Sequence, residues 1–470
     1  MPLVIFLLTY LVMSCNPVKE PPLLPLSPCI PSVRPSPPPK SSCPIYPVKD
    51  QASSLSELVD ISLHNHPLTK EAWSQARAAS ASVTISESSY YPTLDLDIEG
   101  NQQRFSNFAN IGGTGGGTTL QPIGVLTYYD IVLSLTYLLW DFGGGRQSGV
   151  LSAKETLCSS AWNYSWTIQS VIINVVSSYW DTIRAKSDVE ATTADLKDAQ
   201  TLLDVSIAKK RAGLATYVDV SQSQANFVKA ELKLVAAQGL LENSQAALAT
   251  SMGLAPNTPL LLAKPHALEP TALSQDLDRL LARTKCCRAD LTSLKAALKA
   301  QAYNVDVQKS KLYPSLNASL IGAKIWYKGT GGGSGLDYSG TIDLHYPLFT
   351  GFNITGSIKQ AEAQLDQMAA NYQYQELTAL LNVNNSYTST VTSLESFKYA
   401  KEYLIYAGDS FAANLTGYKN GTKSIVDVIS AETTLSDARS QLVDSETTYY
   451  RSLANLAYTS GLLVSQEVVN

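Results

Sequence analysis

A ten-residue segment that occurs twice constrains the fold of this chain more than any other feature. Residues 211–220 read Arg-Ala-Gly-Leu-Ala-Thr-Tyr-Val-Asp-Val, and residues 419–428 read Lys-Asn-Gly-Thr-Lys-Ser-Ile-Val-Asp-Val. Both copies place a glycine at the same distance before Val-Asp-Val. Each copy interrupts a long segment of helical pattern, so each is predicted to form the tight turn of a helical hairpin.

Further segments recur in the same order, which indicates that a unit of roughly 200 residues is duplicated. Tyr-Pro at 91–92 recurs at 313–314, and Leu-Trp-Asp-Phe-Gly-Gly at 139–144 recurs loosely as Leu-Phe-Thr-Gly-Phe-Asn at 348–353. We predict a first repeat over residues 51–255, a linker over 256–280, a second repeat over 281–465 and a tail over 466–470.

The start of the chain is typical of an exported protein. Residues 3–13 form an apolar run that is too short to span a membrane, so we predict a signal peptide over residues 1–14. The Leu-Val-Met-Ser-Cys sequence at 11–15 resembles a bacterial lipoprotein signal, which would make Cys15 the acylated first residue. A plain signal peptide followed by an incidental cysteine is the alternative.

Residues 15–50 contain about half of the 22 prolines of the chain. Because proline fixes φ and cannot continue a helix, we predict that this segment is a lipid-anchored, semi-rigid tether. Cys29 and Cys43 lie in the tether, and in an oxidising compartment they could either pair or stay unpaired.

Two alternating strands are predicted in each repeat. A helical pattern over residues 55–90 is followed by a strand in which Leu94, Leu96 and Ile98 alternate with Asp95, Asp97 and Glu99. This alternation places the carboxylates on one face and the aliphatic side chains on the other. A second strand is predicted from Tyr129 to Trp140, after a glycine-rich loop at 112–117. The second repeat contains a similar pair, which ends near Phe349 and carries Asp343 on its polar side.

Each predicted strand has about 10 to 13 residues, the length that a tilted strand needs to cross a bilayer. Aromatic side chains cluster at the strand ends, where an interfacial girdle belongs. They are Tyr90, Tyr91, Tyr128, Tyr129, Trp140, Trp326, Tyr327 and Tyr338. A soluble sheet with one wet face explains the alternation equally well, but it explains the aromatic clusters less well.

A membrane location for these strands would require several chains to assemble. An open sheet cannot span a bilayer, because its edge groups would lack hydrogen-bond partners, and four strands do not close a barrel alone. Residues 150–212 contain neither glycine nor proline, which permits a helix of roughly 95 Å. We therefore predict a shared barrel that helical hairpins continue as a coiled-coil tube.

Composition and motifs argue against several other classes of function. A net charge of −5 without a basic face disfavours nucleic-acid binding. The chain has four histidines, no Gly-x-Ser-x-Gly motif and no cysteine spacing typical of a metal site. We therefore predict no enzymatic activity, no metal and no cofactor.

The duplicated turns, the Tyr-Pro segments before the strands and the Leu-Trp-Asp-Phe-Gly-Gly-Gly segment together resemble the outer-membrane efflux protein family of TolC-like and OprM-like channels, over about residues 51–465. The resemblance implies an α+β membrane protein, a homotrimer whose β-barrel takes four strands from each chain. A long periplasmic α-helical coiled-coil barrel continues this barrel, and the chain is internally duplicated.

The family implies a location in the bacterial outer membrane. It also implies that the protein is the exit duct of a tripartite efflux pump. The implied partners are outer-membrane lipid, a periplasmic adaptor and an inner-membrane transporter of the RND, ABC or MFS class. The alternatives are the outer-membrane channel of a type I protein secretion system and, in a different class, a structural coiled-coil lipoprotein scaffold. The cargo is not predicted.

The resemblance also implies roles for individual residues. The residues that match adaptor-docking tips are Arg211, Gly213, Leu214, Gly421 and Thr422. The residues that match the closed gate are Asp219, Tyr418, Lys423 and Asp427, with Ser430 where the family has a second acidic residue. The strand residues Asp95, Asp97, Glu99 and Asp343 are expected to face the barrel lumen. Helix capping explains the two turn aspartates as well, because a carboxylate is stabilised at a helix N-terminus.

Overall fold

The computed structural model describes residues 53–104, 125–263, 276–328 and 333–463. The predicted signal peptide, Cys15, the tether and the glycine-rich loop at 112–117 lie outside the described residues. Within them, no helix is long and apolar enough to cross a membrane.

The two halves of the chain contain the same elements in the same order. In the first half these are α1 (Leu55–Asn65), α2 (Pro67–Glu87), β1 (Thr93–Arg104), β2 (Val125–Asp141), α3 (Gly145–Arg211) and α4 (Tyr217–Ser251). In the second half they are α5 (Leu277–Cys287), α6 (Ala289–Ser310), β3 (Ser315–Lys328), β4 (Ser334–His345), α7 (Asn353–Lys419) and α8 (Ile425–Thr459). Helices α3 and α7 both have 67 residues, and α4 and α8 both have 35, which confirms the internal duplication.

The described residues form two compact units, each drawn from both halves. The helical unit takes its described residues from 53–77, 158–263, 276–295 and 371–463, and the sheet unit from 78–104, 125–157, 296–328 and 333–370.

The sheet unit contains one antiparallel sheet with the strand order β1-β2-β3-β4. In this register Leu96 lies opposite Leu133, and Glu99 lies opposite Asp130. Because directly paired residues share a face, most aliphatic side chains of β1 and β4 collect on one face, which we call the aliphatic face. The opposite, polar face carries the acidic residues, together with Val132, Ile321 and Ile325. The aliphatic face is open in one chain: Ile98 and Ile342 are both 72% exposed.

A β-bulge interrupts the pairing of β2 with β3. Leu138 lies opposite Asn317, but Trp140 lies opposite Leu316, so one residue of β2 has no counterpart. A bulge of this kind changes the face on which the following side chains lie. Trp140 therefore shares the aliphatic face with Leu316.

Three element boundaries differ from the predictions. The helical segment at 55–90 is two helices, because Pro67 disfavours the helical conformation of His66, whose ψ is 127°. Strand β4 ends at His345 rather than near Phe349, because Pro347 has no N–H to donate to the sheet. Strand β2 is longer than predicted, with 17 residues.

Three apolar clusters hold the described part of the helical unit together: the smallest contains Leu280, Val383 and Leu456, and the other two are larger. One contains Leu58, Val175 and Leu248, beside a stacked pair of Trp180 and Tyr450 whose ring centroids are 4.6 Å apart. The other joins α3, α7 and α8 and includes Leu202, Phe411, Tyr418, Val428 and Leu435. This second cluster, which we call the turn-side core, supports the two duplicated turns.

Candidate functional site

The first duplicated turn joins α3 to α4 through a Schellman motif. Gly213 has φ of +74°, a left-handed conformation that glycine adopts without strain. The Leu214 N–H donates to the Lys209 carbonyl at 2.8 Å, and the Gly213 N–H donates to the Lys210 carbonyl at 3.0 Å. These two bonds are the pattern that satisfies the last carbonyl groups of a helix.

The second turn, between α7 and α8, repeats the motif. Gly421 has φ of +80°. The Thr422 N–H donates to the Gly417 carbonyl at 2.9 Å, and the Gly421 N–H donates to the Tyr418 carbonyl at 3.1 Å. The duplicated glycine is therefore required by the backbone of both turns.

Each aspartate of the two Val-Asp-Val segments belongs to a capping box. The Thr216 N–H donates to the Asp219 carboxylate at 2.7 Å, and the Asp219 N–H donates to the Thr216 hydroxyl at 3.2 Å. Ser424 and Asp427 make the same pair of bonds, at 2.9 and 3.2 Å. Hydrogen bonds from the backbone and hydroxyl of Ser424 lower the pKa of Asp427. Capping thus accounts for the aspartate in both turns.

Thr216→Ala is expected to loosen the first turn of α4 by about 1 kcal/mol, because it removes the hydroxyl that the Asp219 N–H bonds. The backbone amides of that turn should then exchange with solvent about fivefold faster, measured by hydrogen exchange. Thr250→Ala, an exposed threonine near the other end of α4, is the matched control and should leave this turn unchanged. Equal effects of the two variants would contradict the capping role.

Among the predicted gate residues, Tyr418 is the most deeply buried, with only 5% of its surface exposed. The Lys209 ammonium lies 4.2 Å from the centroid of its ring and donates to its carbonyl oxygen. The Ser206 hydroxyl lies 3.4 Å from the tyrosine hydroxyl. These contacts connect the end of α3 to the end of α7, and we call them the Lys209–Tyr418 contact.

Sequence reasoning missed this contact. Lys209, Lys210 and Arg211 are all cations in the last turn of α3, and each could stabilise the C-terminus of the helix equally well. No sequence signal distinguishes Lys209 from its neighbours, because the choice depends on which side of α3 faces α7.

The predicted link from Asp219 to Tyr418 and Lys423 is not formed within one chain. Among the described residues, the Asp219 carboxylate accepts hydrogen bonds from the N–H and the hydroxyl of Thr216 rather than from either partner. The Lys423 side chain lies against Gly417, where an added Cβ would come within 2.7 Å of the lysine Cγ. The link stays a prediction.

The residues predicted to dock an adaptor are exposed, but the two turns differ in chemistry. In the first turn Leu214 is 74% exposed and Tyr217 is 72% exposed, with the Lys210 ammonium 4.9 Å from the Tyr217 ring centroid. Arg211 and Gly213 are exposed beside them. In the second turn the exposed residues at the glycine are Asn420, Gly421 and Thr422. The first turn therefore exposes apolar and aromatic side chains beside its cations, whereas the second exposes small polar residues between the exposed cations Lys419 and Lys423.

The four predicted strand carboxylates lie on one face of the sheet, and the register adds three more. Asp130 lies opposite Glu99, Asp337 lies opposite Ala323, and Asp141, after the bulge, lies opposite Ser315 on the same face. The seven are Asp95, Asp97, Glu99, Asp130, Asp141, Asp337 and Asp343. Among the described side chains of the strands, this polar face carries no lysine or arginine. The predicted second strand, Tyr129 to Trp140, also contains Asp130. The same alternation could have put this carboxylate on the polar face.

Comparisons with known proteins agree with this architecture. The sequence model of the family described as "Outer membrane efflux protein" matches residues 58–254 and 280–462. The chain is 25% identical to Protein CyaE of Bordetella pertussis over 410 residues, which is 86% of this chain and 84% of CyaE. It is 23% identical to the outer membrane protein TolC of Vibrio cholerae over 429 residues, covering 89% and 93%.

Solved structures show the same fold. The outer membrane protein VceC of Vibrio cholerae superposes with a TM-score of 0.73 at 21% identity, over 87% of this chain and 96% of that one. The fold class predicted from the sequence is confirmed.

Proposed function

Because the chain belongs to the outer membrane efflux protein family, we propose that it is the exit duct of a tripartite efflux pump. It is an outer-membrane channel, not an enzyme, and cargo crosses it passively. A periplasmic adaptor and an inner-membrane transporter of the RND, ABC or MFS class deliver the cargo to it. Acylation of Cys15 would add a lipid anchor.

The observation that carries this proposal is the two-faced sheet with open edges. In one chain the aliphatic face is exposed, and burying such a face in lipid stabilises it by about 25 cal/mol per Å². The edge strands β1 and β4 have unpaired N–H and C=O groups, which are unstable in the hydrocarbon of a bilayer. These groups would pair if three chains closed one barrel. The polar face then lines a water-filled lumen.

We place the resting gate at the duplicated turns. Each turn is a Schellman motif followed by a capping box, so its backbone groups are satisfied and the turn is rigid. Rigid turns on long hairpins can be moved as units by a docking protein. Adaptor binding to the exposed turn residues would separate the hairpins and open the duct. Because the two turns differ in chemistry, the adaptor would meet two kinds of groove.

A double variant tests the gate. Asp219→Ala with Lys423→Ser should raise the resting conductance of single channels in a planar bilayer, because it removes both charges of the predicted link between neighbouring hairpins. The matched control, Glu242→Ala with Lys398→Ser, removes one acid and one base at exposed positions outside the turns. Unchanged conductance in a properly assembled trimer would overturn the gate assignment.

The same recording separates the classes of function. A structural scaffold would conduct no ions in any variant, whereas a duct conducts once its gate is open. The type I secretion alternative uses the same duct with a different transporter. An ABC transporter encoded beside this gene would favour secretion, and a resistance-type transporter with its adaptor would favour efflux.

A further inference from the structure

A cluster of polar and charged side chains lies between the two hairpins of the helical unit, in the layer next to the turn-side core. It takes Asp195 and Asp198 from α3, Asn226, Lys229 and Lys233 from α4, and Glu432, Ser436 and Arg439 from α8. We call it the inter-hairpin cluster. The first hairpin, α3 and α4, meets α8 of the second hairpin there.

Two cations of this cluster, Arg439 and Lys233, are already engaged, and the third, Lys229, is exposed to solvent. Arg439 forms ion pairs with both Asp195 and Asp198, the latter at 2.9 Å. The Lys233 ammonium donates to the Ser436 hydroxyl at 3.1 Å. Among the described residues, no cation forms an ion pair with Glu432.

Glu432 is the buried acid of the cluster, with 7% of its surface exposed. One carboxyl oxygen accepts from the Asn226 amide at 2.8 Å. The neighbouring apolar residues of α8 belong to the turn-side core. There they pack with Ala407, Phe411 and Tyr418 of α7 and with the partly buried Leu404 and Leu415, none of which carries a charge. The charged groups that face Glu432 are therefore those of α3, α4 and Arg439.

We infer that Glu432 is a proton-binding site whose ionisation weakens the contact between the two helical hairpins. When Glu432 is protonated, a neutral acid and a neutral amide meet across the α4–α8 contact, and both can donate and accept. When Glu432 is ionised, its negative charge lies in a water-poor layer close to Asp195 and Asp198. The single charge of Arg439 cannot neutralise both of these carboxylates, so they repel ionised Glu432. That charge is more stable if the hairpins separate and admit water.

The electrostatics agree with this geometry. The pKa of Glu432 is raised from 4.5 to about 7, and burial is the largest cause. Asp198 and Asp195 also raise this pKa, whereas the Asn226 hydrogen bond and Arg439 lower it. A carboxyl whose pKa is raised in the closed state favours that state while it is protonated. The contact is therefore firmest below pH 4.5 and weakens as the pH rises to about 7.

The cluster also has room for the first step of opening. A cavity of about 30 Å³ lies beside Glu432, lined by Asp195, Lys229, Lys233 and Ser436 among others. That volume accommodates one water molecule. Ionised Glu432 could therefore gain a water ligand before the helices part.

This proton-binding site lies on α8, the helix that also carries the predicted gate residue Asp427. Glu432 lies five residues after Asp427 on α8, about one helical turn beyond Val428 of the turn-side core. Its effect on conductance rests on the proposed function, whereas its effect on the hairpin contact does not.

Hydrogen exchange on the assembled protein in detergent tests the hairpin contact. Glu432→Gln mimics the protonated acid, so wild type and variant are compared at each pH, which cancels the intrinsic pH dependence of exchange. From pKa values of 4.5 and about 7, the amides at 226–233 and 432–439 should exchange faster in wild type by about fourfold at pH 5 and about 300-fold at pH 8. Asp437→Asn, which removes an exposed carboxylate of α8, should behave like wild type.

Infrared titration tests the proton site itself. The wild type should show a protonated carboxyl band that disappears with a midpoint near pH 7 and that Glu432→Gln lacks. A band that titrates near the ordinary pKa, or equal exchange of wild type and Glu432→Gln at pH 8, would overturn the inference. If exchange responds and single-channel conductance does not, the proton site stands and its role in the gate fails.

Discussion

Channels assembled from Lys209→Met chains are expected to be open at rest far more often than wild-type channels. The variant keeps the length of the side chain but removes its charge. It therefore loses the attraction of the ammonium to the Tyr418 ring, about 0.5–2 kcal/mol, and its hydrogen bond to the Tyr418 carbonyl, about 1.5–3 kcal/mol. A net loss of about 2–3 kcal/mol raises the ratio of open to closed channels by roughly 30- to 150-fold.

Lys210→Met provides the matched control for this experiment. Lys210 is the next residue of α3, but its ammonium lies over the exposed Tyr217 ring of the same turn. Its replacement should leave resting conductance unchanged. If both variants open the channel to the same degree, the effect comes from the charge of the turn rather than from the Lys209–Tyr418 contact.

Removal of the carboxylates of β1 is expected to reduce the preference of the open channel for cations. Asp95→Asn, Asp97→Asn and Glu99→Gln together remove three of the seven carboxylates that each chain places on the polar face. A lumen lined by one sign of charge concentrates counter-ions. We expect the permeability ratio of K⁺ to Cl⁻, measured from reversal potentials, to fall by roughly three- to tenfold in dilute salt.

Salt and a second variant control the selectivity experiment. In about 1 M salt the Debye length falls to about 3 Å, so the difference between wild type and variant should shrink. Lys324→Gln changes a charge on the opposite face of β3, where Lys324 lies opposite Ile131, and should leave the ratio unchanged. If the triple variant has the same K⁺ to Cl⁻ permeability ratio as wild type in dilute salt, the polar face does not line the ion path.

The sequence predicted those features that depend on local pattern. Alternation of Leu94, Leu96 and Ile98 with acidic residues identified the two faces of the sheet, because the period of a strand is fixed by its backbone. Gly213 and Gly421 marked both turns, because a left-handed residue between two helices strongly favours glycine. Pro67 was also a local signal, but the long helical pattern around it concealed the break between α1 and α2.

Contacts between distant segments could not be predicted in this way. Lys209 and Tyr418 are separated by 209 residues, and Asn226 and Glu432 by 206. Their pairing depends on how far each helix is rotated about its axis, which a periodic pattern defines only to within a broad face. Helical spacing puts Glu432 on a different face of α8 from Asp427 and Ser430, but the sequence contains no sign of the amide that Glu432 meets.

The bulge in β2 decides which medium Trp140 meets. In an unbroken register Trp140 would project to the same side as Asp130 and Thr136, into the water of the lumen. One inserted residue turns the indole outward, to the aliphatic face at the end of the strand, where an interfacial aromatic side chain belongs. It also returns Asp141 to the polar side, where its carboxylate accepts the Arg146 N–H at 2.8 Å at the start of α3. A single register defect thus sets both the face on which the indole lies and the place where the strand gives way to helix.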